Sequence, residues 1–201
     1  MRNILVIVGS GTNKGNTSQL ADAFCKGATK AGHQVNKVFL GDKNLSGCQG
    51  YEGCKGKNHV CVIKDGMQDI NTLFAEYDTV VLASPIYFWT ITAKIKAFIE
   101  RLYAIEVKDA YPHKDSILLM IAGDDNFWTF EQPISYYSFV TKAIAWKNIG
   151  MCLAGGCKSD LKNKIIDERF LHQAYELGAS IKEDNHVRKF FLFKPYKALF
   201  R

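Results

Sequence analysis

Continuous apolar runs alternate along the chain with segments whose apolar residues recur every three or four positions. The runs are residues 3–9 (NILVIVG), 79–84 (TVVLAS), 116–122 (SILLMIA) and 149–154 (IGMCLA). A short stretch of this kind suits a strand covered on both faces, as in a parallel sheet. Residues 35–40 (VNKVFL) mix polar and apolar positions and suit a sheet edge. Residues 16–31 place Leu20, Phe24, Ala28 and Ala31 on one helical face, and residues 91–105 do the same with Ile91, Ile95, Phe98, Ile99 and Leu102. Residues 161–181 bring Ile166, Phe170, Ala174, Leu177 and Ile181 together. A shorter helix is predicted over 66–76 and a less regular one over 135–146.

The pattern is five βα units. It predicts an α/β fold: a five-stranded parallel sheet, helices on both faces, right-handed crossovers. For five strands the flavodoxin-like order 2-1-3-4-5 is the expectation. That order puts 35–40 at one edge and 149–154 at the other. The second run is more apolar than an edge asks for, a tension that a covering partner subunit would ease. Ligands of such sheets lie beyond the carboxyl ends of the strands. The segments after the first, third and fourth runs are therefore the candidate site.

Composition adds limits. The chain has 201 residues, 47% hydrophobic and 23% charged, which suits one globular domain and excludes a disordered chain. No apolar run approaches the ~20 residues of a membrane helix, and Met1-Arg2-Asn3 passes straight into a strand-like run. A soluble cytoplasmic protein without integral membrane contact is expected. The net charge is +6, but Arg188, Lys189, Lys194, Lys197 and Arg201 supply five of those charges within 186–201. The chain thus divides into a domain over 1–184 and a basic aromatic arm over 185–201. With the excess charge confined to the arm, no nucleic-acid partner is expected. Phe190, Phe191, Phe193, Tyr196 and Phe200 interleave with those charges. A membrane surface or nucleic acid could take such a segment. Packing on the domain or on a second subunit is favoured, so a homodimer or homotetramer is expected.

The first loop reads GSGTNKGNTS over residues 9–18. Glycines let its backbone turn with N–H groups inward, and the helix N-terminus adds donors and partial positive charge. Ser10, Thr12, Asn16, Thr17 and Ser18 add hydroxyl and amide groups, which together suit a phosphate monoester. A P-loop would need lysine directly after the last glycine, but Asn16 follows Gly15. A dinucleotide fingerprint would need its third glycine at position 14. A plain helix cap from Asn16 or Thr17 is the alternative. The second loop, Pro85-Ile86-Tyr87-Phe88-Trp89, sets three adjacent aromatics at a strand end. An aromatic shelf opposite a phosphate site suits a flat ring, and the pair of loops points to flavin mononucleotide (FMN). An aromatic lid or a subunit contact is the alternative for the shelf alone.

GSGTNKGNTSQLADAF resembles the phosphate loop of the NAD(P)H-dependent FMN reductases and iron–sulfur flavoproteins of the flavodoxin-like superfamily. SPIYFWTITAKIKAFIERL is similar to their flavin loop and following helix. GCQGYEGCKGKNHVCVIKDGM resembles their cysteine-bearing insertion. The resemblance covers about residues 1–160. It implies that Ser10, Thr12, Asn16 and Thr17 hold the phosphate and that Pro85, Ile86, Tyr87, Phe88 and Trp89 line the isoalloxazine. By the same likeness Gly123 and Asp124 close the far side. Trp89 stands where the family often has a small residue, so it either narrows nicotinamide access or supplies a stacking face.

The insertion departs from the family's C-x2-C-x2-C pattern. Cys48 and Cys54 are present, Tyr51 stands between them, and Cys61 follows. Iron–sulfur clusters usually require four thiolates, so a cluster here is an alternative only if completed from elsewhere. Zinc with His59 is an alternative, but His59 lies two residues before Cys61, which is tight for joint ligation. Reduced thiols without a metal, near the flavin or a partner subunit, are expected. Cys25, Cys152 and Cys157 read as buried small hydrophobes.

The expected activity passes hydride from NADH or NADPH to bound FMN, and electrons on to a flavin, quinone or similar small acceptor. It requires no dedicated acid or base, so no catalytic side chain is assigned; Tyr87 is the candidate for orienting the acceptor. The alternatives are an electron carrier, whose usual acidity this chain lacks, and a non-catalytic relative that has lost the flavin.

Overall fold

The computed structural model describes residues 1–56, 59–108, 110–158 and 165–182, and the backbone of 189–191. The apolar runs form β1 (Asn3–Val8), β2 (Gln34–Phe39), β3 (Thr79–Pro85), β4 (Asp115–Ile121) and β5 (Lys147–Ala154). Helices α1 (Asn16–Lys30), α2 (Met67–Phe74), α3 (Ala93–Arg101), α4 (Trp128–Ala143) and α5 (Glu168–Ala179) lie between or after them. The sheet order is β2-β1-β3-β4-β5, every pair parallel, as the alternation of elements requires.

A sixth strand, β6 (Lys189–Phe191), then pairs in parallel along Gly150–Cys152 of β5. The apolar edge at β5 is therefore covered in part by the chain's own arm. Of the residues singled out in that arm, Arg188, Phe193, Lys194, Tyr196, Lys197, Phe200 and Arg201 lie outside the described residues, as do residues 161–164 of the last predicted helix.

Alternation along each strand sends side chains to two separate cores. Leu5, Ile7, Val80, Leu82, Leu118, Met120, Met151 and Leu153 pack under α2, α3 and α4. Ile4, Val6, Val8, Val81, Ala83, Ile117, Leu119 and Cys152 pack under α1 and α5. Helices α1 and α5 meet closely enough that a Cβ on Gly27 would stand 2.0 Å from the Tyr175 carbonyl oxygen.

Helix α4 begins at Trp128, earlier than the apolar spacing suggests, and contains Pro133. The proline removes one helical N–H. The start is instead closed by i→i−3 bonds from Thr129 N to Asn126 O (3.3 Å) and Phe130 N to Phe127 O (3.0 Å). Among the described residues no helix is long and apolar enough to cross a membrane. Register aligns the carboxyl ends of the strands: Gly9 N bonds Ala83 O at 2.9 Å, Ile86 N bonds Ile121 O at 2.8 Å and Ala122 N bonds Ala154 O at 2.9 Å. The loops that leave those ends consequently rise side by side.

Candidate functional site

Those loops enclose a cleft of about 230 Å³. It is lined by Ser10, Thr12, Gly15, Asn16, Thr17, Pro85, Ile86, Tyr87, Ile121, Gly123, Cys157 and Lys158. Gly15 is the N-cap of α1 and no side chain caps the helix, so neither Asn16 nor Thr17 fills that role. The N–H groups of the first turn have no intrahelical partner and stand available at the cleft. A Cβ at Gly15 would lie 2.8 Å from Thr12 Oγ1, so the loop closes this tightly only around glycine. The loop is braced from α3: Thr92 Oγ1 donates to Gly9 O at 2.8 Å, and Ser10 Oγ donates to Thr12 O at 3.0 Å.

The carboxamide of Asn16 is turned away from the donor ring. Its Nδ2 donates to Lys158 O and Ile165 O, both at 3.1 Å, and so ties the segment after β5 to the first turn of α1. This tie brings Lys158 and Cys157 to the cleft. Burial, and then the charges of Asp125 and Asp167, push the Cys157 thiol up to about 11. It is protonated at neutral pH and lines the cleft as an apolar group. Ser18 is buried behind the loop, outside the lining, and its Oγ has no partner among the described residues.

A second hollow adjoins the first, and the two share Ile86 and Gly123 as walls. Its other walls are Phe88, Trp89, Ala122, Asp124 and Thr129. Tyr87 and Thr90 exchange backbone hydrogen bonds at 3.0 and 3.3 Å. The two residues between them have φ of 50° (Phe88) and 60° (Trp89). Positive φ at both central positions is the type I′ pattern, which ordinarily takes Asn-Gly. Trp89 stacks on Trp128 with ring centroids 6.1 Å apart and planes 21° from parallel, and Phe88 meets Trp89 edge-on at 5.1 Å. Across the hollow, Asp124 accepts from Asn126 N (2.7 Å), Asn126 Nδ2 (2.6 Å) and Thr129 Oγ1 (2.9 Å). The Asn126 N–H foremost, and then the Thr129 hydroxyl, hold its carboxyl below the usual carboxylate range.

Of the residues singled out from the sequence, Ser10, Thr12, Asn16, Thr17, Pro85, Ile86, Tyr87 and Gly123 share the cleft. Phe88, Trp89 and Asp124 border the hollow beside it. Gly15, Ile121 and Lys158 line the cleft without having been singled out as site residues, and so does Cys157, which the sequence offers only as a buried small hydrophobe. Gly15 was visible in the loop motif; Lys158 carries no local signal, because Asn16 reaches it from 142 positions away.

The cysteine loop is organised by a buried ion pair. Arg101 is 1% exposed. It donates to Asp65 Oδ2 (2.7 Å) and Oδ1 (3.1 Å), Ser46 O (3.1 Å), Ile63 O (3.2 Å) and Cys61 Sγ (3.1 Å). Cys54 and Cys61 pack with Ile63 and Ala104, while Cys48 is exposed and its sulfur accepts from Gly50 N. The other three cysteines belong to the α1/α5 layer across the sheet. Among the described residues no three His, Cys, Asp or Glu side chains are grouped to hold a metal ion. With three thiols in the loop, one of them engaged by a guanidinium, the donor set does not fit a four-thiolate iron–sulfur cluster.

The family described as NADPH-dependent FMN reductase matches residues 2–126. An iron–sulfur flavoprotein of Archaeoglobus fulgidus is 30% identical over 181 residues, 88% of this chain and 77% of that protein. An iron–sulfur flavoprotein of Methanocaldococcus jannaschii is 31% identical over 188 residues, 90% of this chain and 95% of that protein. Among solved structures, an NAD(P)H:quinone oxidoreductase from Methanothermobacter marburgensis superposes with TM-score 0.74 at 16% identity, covering 92% of this chain and 98% of the other. An FMN-dependent NADH-azoreductase of Bacillus anthracis, solved with FMN, gives TM-score 0.61 at 13% identity, covering 89% and 96%. At such identities the two structures share the fold.

Proposed function

The chain belongs to the NADPH-dependent FMN reductase family and is an NAD(P)H-dependent oxidoreductase that works with FMN, and from that premise we propose that the cleft and the adjoining hollow together hold the cofactor. The observation that supports this reading is their adjacency across Ile86 and Gly123: an uncapped helix N-terminus lies on one side and an aromatic hollow on the other. Ser10, Thr12, Thr17 and the N–H groups of the first turn of α1 take the phosphate. Asn16 acts on it indirectly, by holding Lys158 at the cleft. Pro85, Ile86 and Tyr87 on one side, and Gly123 and Asp124 on the other, flank the isoalloxazine, with Phe88 and Trp89 at its outer rim. Ser18 supports the loop from within.

Bound FMN supplies the two-electron chemistry, with hydride arriving from the nicotinamide of NADH or NADPH and two electrons leaving to a small acceptor. The chain's part is to fix the ring between two loops, exclude water from one side of it and leave the other side open. Asp124 has its carboxylate engaged by Asn126 and Thr129 and serves to shape the loop rather than to move protons. Exposed Tyr51, Val60, Val62 and Phe139 are apolar surface that a second copy would cover, which supports a homodimer or homotetramer; a cytoplasmic setting suits its reduced thiols.

The test is anaerobic mixing of the FMN-loaded protein with NADH or NADPH, followed at the flavin absorption band. Rapid bleaching is expected. A flavin that stays oxidised while the protein still exchanges electrons with a reduced partner would make it a carrier instead.

A further inference from the structure

Helix α3 braces the first loop at its start, through Thr92, and the cysteine loop at its end, through Arg101. A small hollow of about 30 Å³ lies in that second loop, apart from the cleft. Cys48, Cys54 and Cys61 all line it, together with Tyr51, Val62 and Tyr103, and its surface is almost wholly apolar. Cys48 is exposed, whereas Cys54 and Cys61 are buried. The hollow thus joins one thiol that solvent reaches to two that it does not.

The buried pair is drawn together by its surroundings. Cys54 and Cys61 pack in one cluster with Ala104. A Cβ on Gly53 would stand 2.7 Å from Val62 Cγ1, so the residues flanking the two cysteines touch. Asp65 and two carbonyls take both terminal nitrogens of Arg101, and its Nε donates to Cys61 Sγ at 3.1 Å. A guanidinium N–H is the partner a sulfur needs while it carries charge as the attacking or leaving atom of disulfide exchange. The remaining thiols differ. Burial foremost pushes Cys25 and Cys157 up to about 11 and Cys152 up to about 12, so those three stay protonated and inert. The loop's donor set does not fit a cluster, which leaves its thiols open to oxidation. In a reducing compartment a disulfide between them would be transient, as redox-sensing pairs are.

We propose that Cys48 is the entry thiol, and Cys54 and Cys61 the terminal pair, of a redox switch that reacts with small aliphatic disulfides. The Cys48 sulfur attacks R–S–S–R, forms a mixed disulfide and releases one R–SH. Cys54 then attacks the Cys48 sulfur, which closes a Cys48–Cys54 bridge and releases the second R–SH. Cys61 attacks the Cys54 sulfur, which closes the Cys54–Cys61 bridge and returns Cys48 to a thiol. In sum, two protein thiols lose two electrons and two protons, and R–S–S–R takes them up as two R–SH. Arg101 keeps its four contacts to oxygen throughout, so the loop stays anchored and an excess of thiol reverses the reaction. The switch does not rest on the flavin reading.

The experiment keeps the full FMN-loaded chain anaerobic and adds bis(hydroxyethyl) disulfide to the reduced protein. Two thiols per chain are expected to disappear, counted by alkylation after denaturation, and both return with dithiothreitol. Cleavage after Lys55 separates Cys54 from Cys61. The bridge therefore appears as two joined peptides, and fragmentation assigns it to Cys54 and Cys61. Cys48→Ser slows the loss about tenfold and yields the same bridge. Cys61→Ala stops the relay at Cys48–Cys54. The peptide map of the native protein decides the outcome even where a variant fails to fold. A mixed disulfide on Cys48 as the final product, a final bridge between other cysteines, or an undiminished rate in Cys48→Ser overturns the relay. So do iron and sulfide bound to the anaerobically purified protein, which would assign the thiols to a cluster. Flavin bleaching by NADH or NADPH is read on the same sample, and its failure overturns the FMN reading alone.

Discussion

Arg101 directs five N–H bonds into the loop between β2 and α2, and each ends on a named acceptor: two on the Asp65 carboxylate, two on carbonyls, one on the Cys61 sulfur. Asp65 accepts in return from Ser46 N and Met67 N. Burial by itself would raise the Asp65 carboxyl, but the Arg101 guanidinium and those two N–H groups outweigh it and hold it below the ordinary value. Removing one partner of such a pair strands a buried charge, at a cost of about 3–5 kcal/mol. Asp65→Asn should lose stability of that order in urea unfolding at pH 7. Because the carboxyl is depressed in the folded state, its contribution is present above the unfolded value of about 3.9 and is lost as pH falls through the folded value. The gap between native protein and variant therefore closes on acidification below that point. Lys158 makes a second prediction at this scale. Lys158→Gln should weaken FMN about tenfold, the order of one charge-assisted contact, and leave riboflavin binding unchanged in a fluorescence titration. Neither residue was legible in the sequence. The phosphate loop announces itself by local spacing, whereas Arg101 and Lys158 take their meaning from partners 36 and 142 positions away.

At the scale of elements, legibility followed burial. Strands β1, β3 and β4 are covered on both faces and read directly as apolar runs. The start of α4 was hidden because Pro133 and the short apolar spacing before it look like a loop, while Asp124 and i→i−3 bonds secure the turn there. Strand β6 was hidden because three residues within a charged arm show no period of their own. The crossing of α1 and α5 predicts a sharp sensitivity. A Cβ at Gly27 meets the Tyr175 carbonyl at 2.0 Å, and one at Gly178 meets the Phe24 carbonyl at 2.2 Å. Both obstacles are backbone, so the helices themselves must part. Gly27→Ala should cost roughly 1–3 kcal/mol or more, read as a lowered Tm, although alanine is the better helix former. The turn at 87–90 predicts the reverse. Replacing Phe88 and Trp89 by Asn and Gly should raise Tm, because it relieves two strained residues.

The whole molecule is organised by the alignment of its strand ends. Gly9, Ile86 and Ala122 each bond across to the neighbouring strand as they leave the sheet, so segments scattered from Ser10 to Lys158 converge on one trough. Its polar end is a helix terminus without a cap, and its apolar end is a set of rings. That asymmetry is the basis for assigning the trough to one molecule bearing a phosphate at one end and a flat heterocycle at the other. The most direct test compares FMN with riboflavin, which differ by the phosphate alone, in titrations of the flavin-free protein followed by flavin fluorescence. FMN should bind at least a hundredfold more tightly, and Gly15→Val, which fills the cradle against Thr12, should erase most of that difference. Equal affinity for the two flavins, or no binding of either, would contradict the account.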